Sequence, residues 1–194
     1  DLTSKISIVI PTKNRLFFIK KIIKYYNLIN FKGYIYIGDG SNKNINQQLH
    51  KYINSSLNKV KIFCYWLPNV TESMTTKKLI DYVSTPYTIW SGDDDFFLYD
   101  GINKCVKFLD NNKDFIAANG KSHFITINTD PFKIKDIETY QLMSLNNSTG
   151  SERLLNWYKN TKADLHYSMY RTSCMQKNYK YSNSETEDHE IAAH

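Results

Sequence analysis

Cysteine is scarce in this chain: Cys64, Cys105 and Cys174 are the only three in 194 residues, an odd set without CxxC or other ligand spacing. That pattern argues against a disulfide framework and a zinc knuckle, and a reducing compartment is expected. Long apolar runs are missing too. None approaches the ~18 residues of a membrane-crossing helix, and no basic segment leads into an apolar one near the N-terminus. Neither a membrane span nor export is therefore expected, and the sequons beginning at Asn69 and Asn147 are read as chance. Glycine and proline number only seven and four. There is no internal repeat and no low-complexity tract.

What is present is a core and a positive charge. Hydrophobic residues make up 41% of the chain, with 15 Tyr and 10 Phe, enough for one domain with a ring-lined cleft. A single domain over residues 1–194 is expected, with no room for a second. The formal charge of +6 suggests an anionic partner: a phosphorylated substrate, an acidic membrane surface or nucleic acid. Lys20, Lys21, Lys24, Lys77, Lys78, Lys104 and Lys107 are dispersed rather than packed in a tail, so nucleic acid is not expected. The chain begins without Met and stops at Ile191-Ala192-Ala193-His194 inside an expected helix, which reads as a truncated protein.

Hydrophobic spacing outlines the elements. Residues 6–10 are a β-branched run closed by Pro11, a buried strand. Asn14 is expected to cap a helix over Leu16–Leu28, where Phe17, Phe18, Ile22, Ile23 and Tyr26 recur near helical spacing and Lys20, Lys21 and Lys24 hold the other side. Residues 34–37 form a second strand, broken at Gly38-Asp39-Gly40-Ser41-Asn42. A helix over 45–53, a strand over 60–66, a helix over 72–83, a strand over Tyr87–Trp90 and a helix over Tyr99–Asn111 follow. Further on, 115–118, 123–127 and 165–170 read as strands and 152–160 as a helix capped by Ser151. A final helix is expected in the tail.

Strands alternating with helices give an α/β class: a mostly parallel sheet with right-handed crossovers, covered on both faces. In such sheets the ligand crevice lies outside the carboxyl ends of the strands. Pro11 to Arg15, Asp39 to Asn42 and Asp93 to Asp95 all follow strands, so one edge of the sheet gathers them.

Three consecutive carboxylates at Asp93-Asp94-Asp95 raise each other's pKa unless something neutralises them. A Mg2+ or Mn2+ ion with substrate phosphates is one solution; a solvated acidic turn ahead of the helix at Tyr99 is the other. Asp39 by itself reads as an Asx-turn residue. Lys77 and Lys78 by themselves read as a solvated helix face. Trp66 and Trp90 belong to core or cleft wall. The histidines show no ligand spacing.

Ile8-Val9-Ile10-Pro11-Thr12-Lys13-Asn14-Arg15, Ile37-Gly38-Asp39-Gly40-Ser41 and Ser91-Gly92-Asp93-Asp94-Asp95-Phe96-Phe97, in that order, resemble the motifs of GT-A glycosyltransferases of family 2. The resemblance covers about residues 5–100 closely and the rest loosely. It implies a GT-A fold and an inverting, metal-dependent transfer of a sugar, from a UDP-sugar above all, to a glycan or lipid-linked glycan in bacterial surface polysaccharide synthesis. Pro11, Thr12 and Arg15 would line the nucleobase and ribose pocket, Asp39 would accept from the base, and Lys77 or Lys78 would meet the diphosphate. Asp93 and Asp95 would be the DxD pair on Mn2+ or Mg2+, with Asp94, also at the donor, an extra residue between them. Thr186-Glu187-Asp188 resembles the family's base motif, so Asp188, with Glu187 in reserve, would take the acceptor's proton; a helix N-terminal acid pair is the alternative. A cytoplasmic location is expected, and the basic helix from Phe17 to Leu28 could dock at an anionic inner-leaflet surface where such acceptors are made. A nucleotidyltransferase is disfavoured because Pro11 to Arg15 contains no Gly. A phosphatase of the haloacid type would carry its DxD after the first strand. A non-catalytic nucleotide- or glycan-binding module and a basic RNA-binding protein are the readings from other classes.

Overall fold

A computed structural model describes residues 1–55, 59–129, 132–141, 143–160 and 167–181. Its main sheet has six strands: β1 (Ile6–Thr12), β2 (Tyr34–Asp39), β3 (Lys61–Trp66), β4 (Tyr87–Trp90), β5 (Ala117–Ala118) and β8 (Met169–Arg171), in the order β3-β2-β1-β4-β8-β5. The first four are mutually parallel, while β8 runs antiparallel to both β4 and β5. Strand β1 is buried along its whole length, as the central strand of a sheet covered on both faces must be.

Side-chain alternation divides the core into two layers. Ile8, Ile10, Ile35, Ile37 and Ile89 point to the face covered by α1 (Leu16–Leu28), α2 (Lys43–Ile53) and α4 (Tyr99–Asn111). Val9 and Tyr36 point to the face covered by α3 (Glu72–Asp81) and α6 (Thr172–Tyr181). Helix α1 forms because Ile19, Ile22, Ile23 and Tyr26 share one stripe and are fully buried; burying each is worth about 1.5–3 kcal/mol. Arg171, on the inserted strand β8, donates to the carbonyls of Leu109, Asn112 and Phe115. It thereby satisfies the open end of α4 with a cation, where the helix dipole favours one.

Several sequence-based expectations are corrected. Strand β1 continues through Pro11 to Thr12, because pairing with β4 ends at Val9 and the ladder on that side needs nothing further. Arg15, not Asn14, is the N-cap of α1; Asn14 takes φ 59° instead. Thr149, not Ser151, caps α5 (Gly150–Asn160), its hydroxyl accepting from Glu152 N while Glu152 accepts from Thr149 N, a capping box. The strand expected over 123–127 is one arm of a hairpin, β6 (Lys121–Thr129) with β7 (Phe132–Gln141), which forms a separate two-stranded sheet. Its paired isoleucines, Ile125 with Ile137 and Ile127 with Ile134, are about half exposed.

Candidate functional site

Three strand ends meet at the carboxyl edge of the sheet. The first contact joins β1 to the loop after β4. The Thr12 hydroxyl donates to Asp93 Oδ2 at 2.7 Å, and Arg15 Nε lies 2.7 Å from Asp93 Oδ1. Arg15 reaches onward to Asp94 Oδ2 and rests its guanidinium 4.3 Å over the Phe18 ring. One cation therefore bridges two carboxylates, one buried and one open to solvent. The attraction of Asp93 and Asp94 outweighs the partial desolvation of Arg15 and holds its pKa above the ordinary value.

Asp95 lacks such a partner. Burial first, then repulsion from Asp94 and Asp93, pushes its carboxyl above the usual range, against a hydrogen bond with Tyr167. The Tyr167 ring stands between Trp90 and Phe97, at 5.5 and 6.4 Å. Gly92 permits this placement: a Cβ there would lie 2.5 Å from Asp95 Oδ2.

The second knot is built around Asp39 at the end of β2. Asp39 is fully buried; one oxygen accepts from Ser41 N and the other from Asn46 Nδ2, both at 2.9 Å. Ser41 Oγ accepts from Asn14 N at 2.7 Å, Gly40 N donates to Thr12 O, and Trp66 Nε1 donates to Ser41 O. The αL turn at Asn14 is thus locked against the β2 loop, which fixes where Arg15 and α1 begin. Below it, Gly38 lets α3 approach, since a Cβ there would lie 2.2 Å from Thr75 Cγ2.

This arrangement is a strand edge with three carboxylates and one cation, Phe18 under the cation, Tyr167 on Asp95 and Trp66 on the Asp39 loop. Residues 7–178 match the model of glycosyl transferase family 2. The chain belongs to that family. Solved structures share its fold: the 1–349 fragment of TarS from S. aureus at 13% identity and TM-score 0.59, and the same fragment in complex with UDP-GlcNAc at 14% and 0.60. Each aligns with 97% of this chain, which spans about half of those fragments (53% and 52%) and 33% of the longer TarS structure. No curated protein matches the chain.

Within this family 2 domain, the residues expected from the sequence are distributed unevenly. Thr12, Arg15, Asp93 and Asp94 are joined directly, with Asp95 beside them and Pro11 in β1 just behind. Asp39 holds the turn, as the Asx alternative required. Lys77 and Lys78 lie on α3, half-buried and exposed, while its Thr75 and Thr76 are buried. Glu187 and Asp188 fall outside the described residues. Ser41, quoted in the second-strand motif, ties Asp39 to Asn14, while Asn46, Phe18 and Tyr167 take part without having been anticipated. Asn46 follows its cap residue Asn42 by one helical turn, a signal too common to single it out.

The donor chemistry fits a hard divalent cation of the kind the family resemblance implies. Among the described residues no three His, Cys, Asp or Glu side chains converge as a metal cluster, so the site offers no closed protein cage. It offers Asp95, whose charge is the least compensated, with Asp93 two residues before it. One or two carboxylates completed by substrate phosphates is the usual Mg2+ or Mn2+ arrangement.

Proposed function

We propose that this domain is an inverting glycosyltransferase that transfers a sugar from a UDP-sugar to a hydroxyl of a glycan or lipid-linked glycan, with Mn2+ or Mg2+ at Asp95 and Asp93. The observation that carries the reading is the convergence of Thr12, Arg15, Asp93, Asp94 and Asp95 at one strand edge. A diphosphate approaching three carboxylates meets unscreened like charge, so the site needs added positive charge to receive it. Arg15 already stands there and is free on its other donors to turn toward a phosphate. A bound divalent ion would supply Lewis-acid stabilisation of the departing nucleotide diphosphate.

The locked loop of Asp39 to Asn42 presents a rigid wall with Trp66 beside it, suited to hold a nucleoside in a fixed position. A fold neighbour was solved holding UDP-GlcNAc, which makes a uridine nucleotide the first donor to try. Direct contact of Asp39 with the base and of Lys77 or Lys78 with the diphosphate belongs to the same proposal. During transfer the acceptor oxygen forms its bond to the anomeric carbon as the bond to the diphosphate breaks. The acceptor proton passes to a carboxylate, for which Asp188 and then Glu187 are the candidates. A role in surface polysaccharide synthesis in the cytoplasm completes the reading, and it rests on the sequence resemblance alone.

The test is turnover of UDP-GlcNAc, by hydrolysis or by transfer to an added glycan acceptor, with Mn2+ and with EDTA. Turnover only with the metal supports the proposal. Asp188→Asn should cut that turnover by roughly 10²–10⁴-fold with donor affinity unchanged. Tight UDP binding without any turnover would make the domain a binding module instead.

A further inference from the structure

Charge in this chain is strongly segregated. Residues 2–71 contain ten lysines and one arginine against a single carboxylate, Asp39, and that one is buried. The remainder of the chain is net acidic. The basic half includes α1 and α2, which pack side by side on one face of the sheet, Tyr52 donating to Lys20 O.

The outward stripe of α1 has a definite composition. Phe17, Lys21, Lys24 and Leu28 recur at helical spacing and are exposed, with half-exposed Lys20 between them. Phe17 and Leu28, at the two ends, are 63% and 75% exposed, about 17 Å apart along the axis. The inward stripe of Ile19, Ile22, Ile23 and Tyr26 is completely buried, so the helix cannot roll to hide either end. Lys21 Nζ lies 4.2 Å over the Phe17 ring and Lys20 Nζ 5.2 Å over Tyr52. Ion pairs among the described residues are Lys5 with Asp110 and Arg15 with Asp93 and Asp94; none uses a lysine of α1 or α2. Lys51 of α2 is exposed as well.

We propose that this face of α1, extended by Lys51, docks the domain on an anionic lipid bilayer. Three lysines flanked by two protruding apolar side chains match the interfacial pattern, in which cations meet lipid headgroups and apolar groups enter the acyl boundary. Nucleic acid would use the lysines and the exposed Phe17 ring, but an exposed aliphatic Leu28 at the other end of the stripe gives it neither a charge nor a ring to bind, whereas an acyl boundary takes both apolar side chains. α1 starts immediately after Arg15, so docking along α1 brings the acid cluster close to the bilayer surface. That last consequence rests on the glycosyltransferase reading, because it is what a lipid-linked acceptor requires; the docking itself does not.

Vesicle flotation tests it, using phosphatidylcholine vesicles and vesicles with 30% phosphatidylglycerol, at low and high salt, beside a single-stranded RNA oligonucleotide. The chain should float with the anionic vesicles only and be released at high salt. Lys20→Gln/Lys21→Gln/Lys24→Gln should weaken flotation about 100-fold, at about fivefold per lysine, and Phe17→Ser/Leu28→Ser about tenfold or more. Both variants should melt within a few degrees of the parent. The proposal is overturned if anionic vesicles are not bound, or if both vesicle types are bound equally. It is overturned too if RNA is bound with lysine dependence while Phe17→Ser/Leu28→Ser leaves vesicle binding intact. A chain that floats yet never binds UDP would defeat the donor proposal and leave this one standing.

Discussion

Asp39, at the end of β2, and Asp93, in the loop after β4, flank β1 on the same sheet edge, yet they are held in opposite ways. Asp39 is sealed from water, and both of its oxygens accept from neutral donors of its own loop, Ser41 N and Asn46 Nδ2. Asp93 belongs to a run of three carboxylates of which two, Asp93 and Asp94, share one guanidinium, with Asp94 open to solvent and Asp95 left with a hydrogen bond to Tyr167 and no cation of its own. The first carboxylate is satisfied by the fold. The second group is satisfied only in part, which is the condition of a site waiting for further positive charge.

The comparison breaks most visibly at Asp39. Asp39→Ala leaves two buried donors unpaired and should cost about 2–4 kcal/mol, a fall in melting temperature of roughly 5–12 °C for a domain of this size. Should melting hold while UDP binding disappears, Asp39 faces the ligand rather than the loop. Two glycines sharpen the contrast next. Gly38→Ala drives a Cβ into Thr75 and Leu79, an overpacking expected to cost about 1–3 kcal/mol in melting. Gly92→Ala meets only the tip of the Asp95 side chain, so melting should barely move, while Mn2+-dependent nucleotide binding weakens because the carboxylate is displaced. Equal melting losses in the two variants would erase the distinction between scaffold and site.

The smallest effect is a gain. The Asp95 carboxyl is held above its ordinary pKa, so the native state takes up its proton more readily than the unfolded chain does. The destabilisation is therefore present at neutral pH and relieved as pH falls through the native value. Asp95→Asn should raise the metal-free melting temperature by roughly 1–3 °C near pH 7, with the gain fading toward pH 4. The same variant should lose the response to Mn2+. No gain at neutral pH would mean that Tyr167 already compensates the charge.

Much of this was legible in the chain. Helices α1 and α4 and strand β4 fall where hydrophobic period and breakers put them, and the three motif segments lie at strand ends as an α/β sheet requires. What stayed hidden depends on distant partners. The late strand read over 165–170 is present as β8, Met169–Arg171, but its place between β4 and β5, antiparallel to both, depends on partners far away in the chain and no local period marks it. Hairpin β6–β7 was half missed because Ile134 and Ile137 of its second arm stand three residues apart, out of strand period, and no buried face sharpens the pattern. Asn46 on Asp39 and Tyr167 on Asp95 are single side chains brought in by the fold, and Asn14 was taken for a cap because its αL turn is set by Ser41. The family resemblance covered residues 5–100 closely, and the family match extends well past that range.

The central claim, that the Asp93 to Asp95 edge receives a nucleotide diphosphate together with a divalent cation, meets its most direct test in calorimetric titration of UDP into the intact chain, once in Mn2+ and once in EDTA. The account predicts binding at least tenfold tighter in Mn2+. Equal affinity in the two buffers would contradict it and remove the metal from the site.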